Sequence, residues 1–281
     1  GKVASYIPEL SKANPSMFGI VVSDMQGITH SAGNTRVPFT LQSTSKPFAL
    51  ALALMDNGAE KVFSKIGMEP TGDSFNSLLK LETFASLKPV NPFVNAGAIT
   101  VSSMIHGGTP EEKFARLFSF IESLTGGCYL GFNRQVYLSE KMTGDRNRAI
   151  GYFLRDIKAI EGETEPVLDL YFRQCSIETD CFGLSSLAVA IATEEDSVIP
   201  KIYKRILRSF MFTCGMYDAS GEFAIRVGVP SKSGVSGAIL SAVPGRFGIG
   251  VIGPSLDHKG NSVAGVPLLE DLSEKLGLYV F

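Results

Sequence analysis

Residues 41–55 read LQSTSKPFALALALM, a short polar segment that leads directly into an apolar run. A run rich in alanine and leucine favours helix, so the chain is predicted to enter a helix close to Ser43. Ser43 and Lys46 would then lie one i,i+3 step apart on the same face of its first turn. The serine hydroxyl therefore has an amine as its neighbour.

At a helix start, Ser43 and Lys46 could act as a nucleophile and its base. The first N–H groups of a helix are unpaired, and their positive end favours negative charge on the oxygen of Ser43. The same field and burial both discourage protonation of Lys46, and a neutral lysine can accept the proton of a serine nucleophile. The S-x-x-K spacing is that of penicillin-binding enzymes and their relatives.

The spacing alone does not identify a catalytic serine, because serine and lysine are common residues. The chain repeats it at Ser77 and Lys80, where an ordinary surface segment is a sufficient explanation. At Ser43, the motif by itself is equally compatible with a serine that caps a core helix.

Length and composition restrict the class of protein. The 281 residues suit one large domain or two closely packed lobes, and 44% hydrophobic with 19% charged residues provide a sizeable core. A net charge of −2 without a basic block argues against nucleic acid and against an anionic membrane surface as partners. The longest apolar run is too short to span a membrane.

The cysteines and histidines give no sign of a metal site or of a disulfide framework. Neither residue type forms a C-x-x-C or other ligand spacing, so no metal and no cofactor are expected, and reduced cysteines in a cytoplasmic protein are the simpler interpretation. The residues concerned are Cys128, Cys175, Cys181, Cys214, His30, His106 and His258.

The order of elements predicts an α+β architecture. A hairpin is expected from residues 18–31, with Gly27 in its turn. Helical signals follow at residues 95–100, 109–126 and 147–157, continue through Tyr171, and return at 176–192 and 200–212, and a last helix is expected at 266–276. Glycine- and valine-rich segments at 225–228, 235–240 and 247–252 indicate strands of an antiparallel meander.

These elements predict one antiparallel sheet built from the N- and C-terminal segments, about residues 14–40 and 222–281, with a helical lobe over about 41–221. The irregular stretch 56–92 suggests an excursion that covers the core. Two polar residues before the 147–157 helix are ambiguous, because from spacing alone Glu140 is a loop acid and Asn147 a helix cap.

A second motif, Lys232-Ser233-Gly234, resembles the K-T-G strand motif that accompanies S-x-x-K in penicillin-recognising enzymes. With further segments it resembles the serine-dependent glutaminase family over essentially the whole chain and in the family's order. Those segments are KVASYIP (2–8), NPFVNAGA (91–98), SE (139–140), GDRN (144–147), YF (171–172), CSIE (175–178) and CGMYD (214–218).

The resemblance implies a β-lactamase-like fold and a single glutaminase catalytic domain over residues 1–281. It also implies hydrolysis of L-glutamine to glutamate and ammonia through a glutamyl ester on Ser43. Lys46 and the tyrosines at Tyr171 and Tyr217 would then transfer protons. The backbone amides of Ser43 and Val235 would form an oxyanion hole.

The resemblance also assigns the groups that bind substrate and replaces the spacing-based interpretation of Glu140 and Asn147. A carboxylate suits the substrate ammonium, whereas amides and phenols can hold its carboxylate. The binding residues carried over are Tyr6, Gln42, Ser43, Asn95, Glu140, Asn147, Tyr171, Tyr217 and Val235. The implied partners are L-glutamine and further copies of the chain, as a homodimer or homotetramer.

Two departures from the family pattern are the lack of its usual helical residues before Gly1 and a shorter loop at residues 192–197. Two rival functions remain open. A β-lactamase or D-alanyl peptidase would share Ser43 and Lys46 but needs S-D-N or Y-x-N, and the matching segment here is Tyr171-Phe172-Arg173. A protein that only binds its ligand should tolerate loss of Ser43, Lys46 or Tyr217, all of which are present.

Overall fold

The alternating apolar residues near the N-terminus form the first strand of the main sheet. In the computed structural model, which describes residues 1–72 and 88–280, β1 (Gly19–Asp24) alternates buried and half-buried positions. It pairs antiparallel with β2 (Thr29–Gly33), and Gly27 supplies a positive φ of 85° in the connecting turn. The predicted hairpin is confirmed.

The C-terminal strands complete this sheet. β6 (Ser231–Ser233), β7 (Ala238–Val243) and β8 (Phe247–Ile252) join β1 and β2 in the antiparallel order β2-β1-β8-β7-β6. Glycine in β8 lets a helix pack closely on it, since a Cβ at Gly248 would lie 2.3 Å from the backbone nitrogen of Val189. The predicted α+β class, with one antiparallel sheet from both ends of the chain, is confirmed.

Helices fill the middle of the chain and flank the sheet. In chain order they are α1 (Lys46–Asn57), α2 (Ala59–Lys65), α3 (Asn95–Met104), α4 (Pro110–Leu124), α5 (Arg134–Thr143), α6 (Asp145–Asp156), α7 (Thr164–Cys175), α8 (Cys181–Ala192), α9 (Lys201–Cys214), α10 (Ser220–Arg226) and α11 (Gly265–Leu276). Short 3₁₀ turns lie at Leu10–Lys12, Gln42–Ser45 and Tyr217–Ala219.

Two segments differ from the sequence-based expectation. Residues 225–228, expected as a strand, belong partly to α10, where Arg226 forms an i,i+4 ion pair with Glu222 and Phe223 is buried. The helix expected from residue 176 begins only at Cys181. Before it, β5 (Ile177–Thr179) pairs with strands on both sides, and these distant partners override the local helical pattern.

The partners of β5 form a small second sheet that the sequence did not predict. It has the order β3-β5-β4, with β3 at Phe39–Thr40 and β4 at Leu130–Phe132. β3 leads directly into the turn that carries Ser43. This second sheet therefore helps to fix the position of the candidate nucleophile.

The apolar run after that turn forms α1, a deeply buried helix. Every residue from Lys46 to Leu54 is buried, and most of them belong to the largest hydrophobic cluster. Of the excursion predicted over 56–92, residues 73–87 lie outside the described part of the chain, and with them Ser77 and Lys80. No helix that the structure describes is both long and apolar enough to cross a bilayer.

Candidate active site

Ser43 lies in a 3₁₀ turn and not, as predicted, in the first turn of an α-helix. The turn spans Gln42–Ser45, and α1 begins at Lys46, followed by proline. Gln42 has a φ of 47°, in the left-handed region, which a continuous right-handed helix cannot contain. Ser43 is buried, with 6% of its surface exposed.

Lys46 is buried and held by two oxygen atoms. Its Nζ donates to the carbonyl of Phe93 and to Oδ1 of Asn95, each at 2.9 Å. Burial lowers its pKa from 10.5 to about 8, although the nearby carboxyl of Glu140 acts in the opposite direction. An appreciable fraction of this lysine is therefore neutral at mildly alkaline pH.

The amide of Asn95 connects Lys46 to a second predicted binding residue. Nδ2 of Asn95 donates to Oδ1 of Asn147 at 3.0 Å. Asn95 is the first residue of α3, and Asn147 lies in the first turn of α6. The starts of three helices, α1, α3 and α6, thus meet through these three side chains.

Tyr217 completes the contact with the serine. Its phenol hydrogen-bonds with the side chain of Ser43 and donates to the carbonyl of Ser233 at 3.2 Å. Burial raises the pKa of this phenol well above its ordinary value, so it is protonated. Tyr217 also has a positive φ of 56°, an unusual conformation for an aromatic residue.

Lys232 supports Tyr217 from the sheet. The Nζ of this fully buried lysine lies 4.4 Å from the ring centroid of Tyr217 and donates to the carbonyls of Gly215 and Ser233 at 2.9 and 2.7 Å. Burial, and next the charge of Lys46, lower its pKa. The K-S-G motif pointed to this strand, but the contact with Tyr217 was not predicted.

Glu140 presents a carboxyl group in a buried pocket. The residue is 5% exposed, and its Oε2 has no hydrogen-bond partner among the residues that the structure describes. Burial raises its pKa from 4.5 to about 8, partly offset by hydrogen bonds from Gln42 and Cys175 and by the charge of Lys46. A buried, unpaired carboxyl oxygen is a site where a cationic group is expected to bind.

The two remaining tyrosines border the same region. Tyr171, on α7, is buried and hydrogen-bonds with Cys175 one helical turn later, and its pKa is raised by burial. Tyr6 is 53% exposed and lines a cleft of about 770 Å³ together with Val235. Cys175 was not a predicted site residue, and its only sequence signal was its place inside a matching segment.

Val235 lies beside the serine turn because Gly234 packs directly against it. A Cβ at Gly234 would lie 2.9 Å from the carbonyl oxygen of Leu41 and 3.2 Å from Cγ2 of Thr44. The loop after β6 thus adjoins the segment on both sides of Ser43. Direct contacts thus join several of the predicted site residues in pairs: Ser43 with Tyr217, Lys46 with Asn95, Asn95 with Asn147, and Gln42 with Glu140.

A second cavity, of about 260 Å³, contains none of the predicted site residues. It is bordered by lysines of α2 and α4 and by the end of α3. Within residues 1–72 and 88–280, no three His, Cys, Asp or Glu side chains lie together in a way that could hold a metal ion.

Comparison with known proteins adds independent information. The family model described as Glutaminase matches residues 1–281. A glutaminase of Clostridioides difficile (strain 630) is 54% identical over 287 aligned positions, which cover 100% of this chain and 93% of that protein.

Two solved structures are also similar. The probable glutaminase ybaS has a TM-score of 0.95 at 35% identity, with 100% of this chain and 92% of that one covered. A probable glutaminase from Bacillus subtilis, complexed with 6-diazo-5-oxo-L-norleucine, has a TM-score of 0.89 at 35% identity, with 100% and 90% covered. The implied β-lactamase-like fold is confirmed by this similarity.

Proposed function

The chain belongs to the glutaminase family, and on this premise we propose that it hydrolyses L-glutamine to L-glutamate and ammonia through an acyl-enzyme on Ser43. The observation that carries the mechanism is the hydrogen bond between Ser43 and Tyr217. Lys46, three residues after Ser43 in the sequence, is buried and has a lowered pKa. A serine activated by adjacent groups that accept protons is the arrangement that nucleophilic catalysis requires.

Acylation begins when Oγ of Ser43 attacks the side-chain amide carbon of glutamine. The serine proton passes to Lys46 with Tyr217 as relay, and the same groups return it to the departing nitrogen, so that the C–N bond breaks and ammonia leaves. Water then attacks the glutamyl ester, and its proton restores the hydroxyl of Ser43. Burial of Lys46 and its depressed pKa support its role as the base.

The hydrogen bonds of Lys46 suit this role. A neutral amine has two hydrogens and one lone pair, and among the residues that the structure describes Nζ of Lys46 has two oxygen acceptors, the Phe93 carbonyl and Asn95 Oδ1. Both hydrogens are therefore engaged in the neutral form, and the lone pair remains to accept a proton. A protonated Lys46 would have one donor in excess of these two acceptors.

We further propose that the backbone amides of Ser43 and Val235 stabilise the oxyanion of the tetrahedral intermediate. Support comes from the close packing of Gly234 against the turn that carries Ser43. Fixed donors of this kind act most strongly on charge that develops in the transition state.

The binding groups fit an amino acid with its charges intact. Glu140 offers a carboxyl oxygen that has no partner in residues 1–72 and 88–280 for the substrate ammonium, whereas the linked amides of Asn95 and Asn147 can hold its carboxylate. Gln42, next to Glu140, and the two tyrosines at residues 6 and 171 complete the site. Because Gln42 precedes Ser43 and hydrogen-bonds with Glu140, the carboxyl proposed to bind the ammonium is linked to the turn that carries the nucleophile.

The test is release of ammonia from L-glutamine and L-asparagine, with hydrolysis of a chromogenic cephalosporin in parallel. We expect turnover of glutamine alone, because a side chain shorter by one methylene misplaces the reacting carbon relative to Ser43. Comparable hydrolysis of asparagine would contradict the proposed binding mode, and rapid opening of the cephalosporin would favour the β-lactamase alternative.

We also propose a domain organisation, a cellular location and an oligomeric state. Residues 1–281 act as one glutaminase catalytic domain, supported by the sheet that joins strands from both ends of the chain. The protein is cytoplasmic, supported by its four free cysteines. It assembles as a homodimer or homotetramer, as the family resemblance implies, and sedimentation equilibrium measures this directly.

A further inference from the structure

The residue before Ser43 has a backbone conformation that needs support. Gln42 has a φ of 47°, and a residue with a Cβ rarely adopts this region. Such strained residues persist only where surrounding contacts hold them. The contacts that hold Gln42 are therefore candidates for groups that position the nucleophile.

A chain of buried hydrogen bonds reaches the carbonyl of Gln42 from α7. Oγ of Ser45 donates to this carbonyl at 2.7 Å, and Nε2 of Gln174 donates to Oγ of Ser45 at 3.1 Å. At the far end of the amide, Oγ of Ser102 lies 3.3 Å from Oε1 of Gln174 and 2.9 Å from the carbonyl of Ala98. Gln174, Ser45 and Ser102 are fully buried.

The direction of these hydrogen bonds is determined by Gln174. An amide NH₂ group can only donate, so it occupies a lone pair of the Ser45 hydroxyl and leaves the hydroxyl proton for the carbonyl of Gln42. Gln174 lies three residues after Tyr171 on α7, so the two side chains share a face of the helix. The helix that brings Tyr171 to the site thus also brings the donor to Ser45.

The peptide bond links this carbonyl to the proposed oxyanion hole. The carbonyl of Gln42 and the N–H of Ser43 belong to one planar peptide, and the described chain has no cis peptide bond. In a trans peptide the two groups point in opposite directions. A hydrogen bond that holds the Gln42 carbonyl toward Ser45 therefore also fixes the direction of the Ser43 N–H.

We propose that Gln174 is a positioning residue for the reaction: through Ser45 and the Gln42 carbonyl it orients the Ser43 N–H toward the oxyanion. In the part of the chain that the structure describes, the side chain of Gln174 hydrogen-bonds with Ser45 and Ser102 and not with Ser43. The inference rests on the proposed function, because it assumes that Ser43 is the nucleophile and that its N–H stabilises the transition state.

The test compares Gln174→Met, Ser45→Ala and the double variant, with Ser102→Ala as matched control. Methionine keeps the volume of glutamine but removes the donor, and Ser102 contacts the opposite end of the same amide. Gln174→Met should lower kcat by about tenfold or more, up to the roughly 10²- to 10³-fold loss that follows removal of an oxyanion-hole donor. KM should change less than about twofold, since ground-state binding is retained, and Ser102→Ala should keep kcat close to that of the wild type.

The double variant separates positioning from stability. Ser45→Ala alone leaves the Gln174 amide buried without its acceptor, and the second substitution removes that unpaired group. We expect the double variant to be more stable than Ser45→Ala but to have the same low kcat, because both changes break one connection. The proposal would be overturned if the loss of kcat in the double variant were the product of the losses in the two single variants. It would also be overturned if kcat decreased across the variants in proportion to their melting temperatures.

Covalent labelling distinguishes this inference from the proposed function. The probe is 6-diazo-5-oxo-L-norleucine, an electrophilic glutamine analogue that adds to a nucleophile with loss of nitrogen gas. If mass spectrometry finds no label on Ser43 of the wild type, the proposed function fails. If Ser43 is labelled but Gln174→Met has the wild-type kcat, only the positioning role fails.

Discussion

The amine of Lys46 and the side-chain oxygen of Asn95 are hydrogen-bonded at 2.9 Å inside the protein. The other end of the same amide donates to Asn147. The proposed base is thus connected to the groups proposed to hold the substrate carboxylate. Binding of a negative charge there is expected to affect the proton affinity of Lys46.

The first prediction concerns the pH profile of kcat/KM. The pKa of Lys46 is about 8, and a base must be unprotonated, so activity should fall as pH decreases through that value. We expect kcat/KM to rise from neutral pH with a midpoint near 8, the region in which both Lys46 and Glu140 lose a proton, at pH values where circular dichroism shows the folded state. A flat profile from mildly acidic to alkaline pH would count against Lys46 as the base.

The second prediction uses the contact with Asn95. Asn95→Asp places a carboxylate against Nζ of Lys46 and should raise the pKa of this lysine, because an opposite charge favours the protonated amine. The midpoint of the kcat profile should move to higher pH by about one unit or more. Asn57→Asp, at the other end of α1, is the control and should leave the midpoint in place.

The third prediction separates binding from chemistry. Ser43→Ala should reduce kcat at least about 10³-fold, because the nucleophile is removed, whereas calorimetry should still detect binding of glutamine. Ser77→Ala, which alters the second S-x-x-K spacing, is the control and should be nearly neutral. Retained turnover in Ser43→Ala, or an equal loss in both variants, would exclude Ser43 from its role.

The larger elements of the fold were predictable because their patterns are long. The capping box at Thr109 marked the start of α4, and Thr109 does accept a hydrogen bond from the backbone of Glu112. The hairpin had the alternating apolar residues of β1 and the glycine turn at Gly27, and α11 has helical periodicity. The strands of the second sheet, at 39–40, 130–132 and 177–179, are two or three residues long and have no period to detect.

The candidate site was assigned from motifs, whereas its supporting contacts were not predictable. Nothing in a glutamine between Leu41 and Ser43 signals a positive φ, because glutamine is not a typical turn residue. The hydrogen bond from Gln174 to Ser45 joins residues that are 129 positions apart. Such contacts depend on how helices pack, and local sequence does not encode them.

The fourth prediction concerns the relay. Tyr217→Phe removes the hydroxyl that hydrogen-bonds with Ser43 but keeps the ring beside Lys232. We expect kcat to fall by about 10²- to 10⁴-fold, the usual contribution of a positioned proton-transfer group, with KM and melting temperature little changed. Tyr203→Phe, a half-buried tyrosine of α9, is the control. If Tyr217→Phe retained full kcat, proton transfer would have to bypass the phenol.

The fifth prediction concerns Glu140, whose raised pKa makes the stability of the folded protein depend on pH. Its carboxyl has a pKa of about 8 in the folded protein and an ordinary value near 4.5 when unfolded. Between these values the folded state binds more protons, so this group makes the protein less stable as pH rises from 4.5 to 8. The cost arises from ionising a carboxyl in a buried place, and the substrate ammonium would offset it.

Glu140→Gln removes both the free-energy cost of ionising a buried carboxyl and the negative charge proposed to bind the substrate ammonium. The melting temperature of the variant, relative to the wild type, should therefore increase at pH 8.5 and change little at pH 4.5. At the same time kcat/KM for glutamine should fall by about 10- to 100-fold, since a hydrogen bond to a charged group is worth about 1.5–3 kcal/mol. Loss of the carboxylate also removes an attraction that raises the pKa of Lys46, so the pH midpoint of kcat should move to lower pH.

The control for this prediction is Glu178→Gln, because the carboxylate of Glu178 accepts hydrogen bonds from Tyr129 and Asn133 outside the site. Scanning calorimetry and steady-state kinetics at the two pH values decide the matter: a variant that is destabilised at pH 8.5, or that binds glutamine as tightly as the wild type, would contradict the role proposed for Glu140.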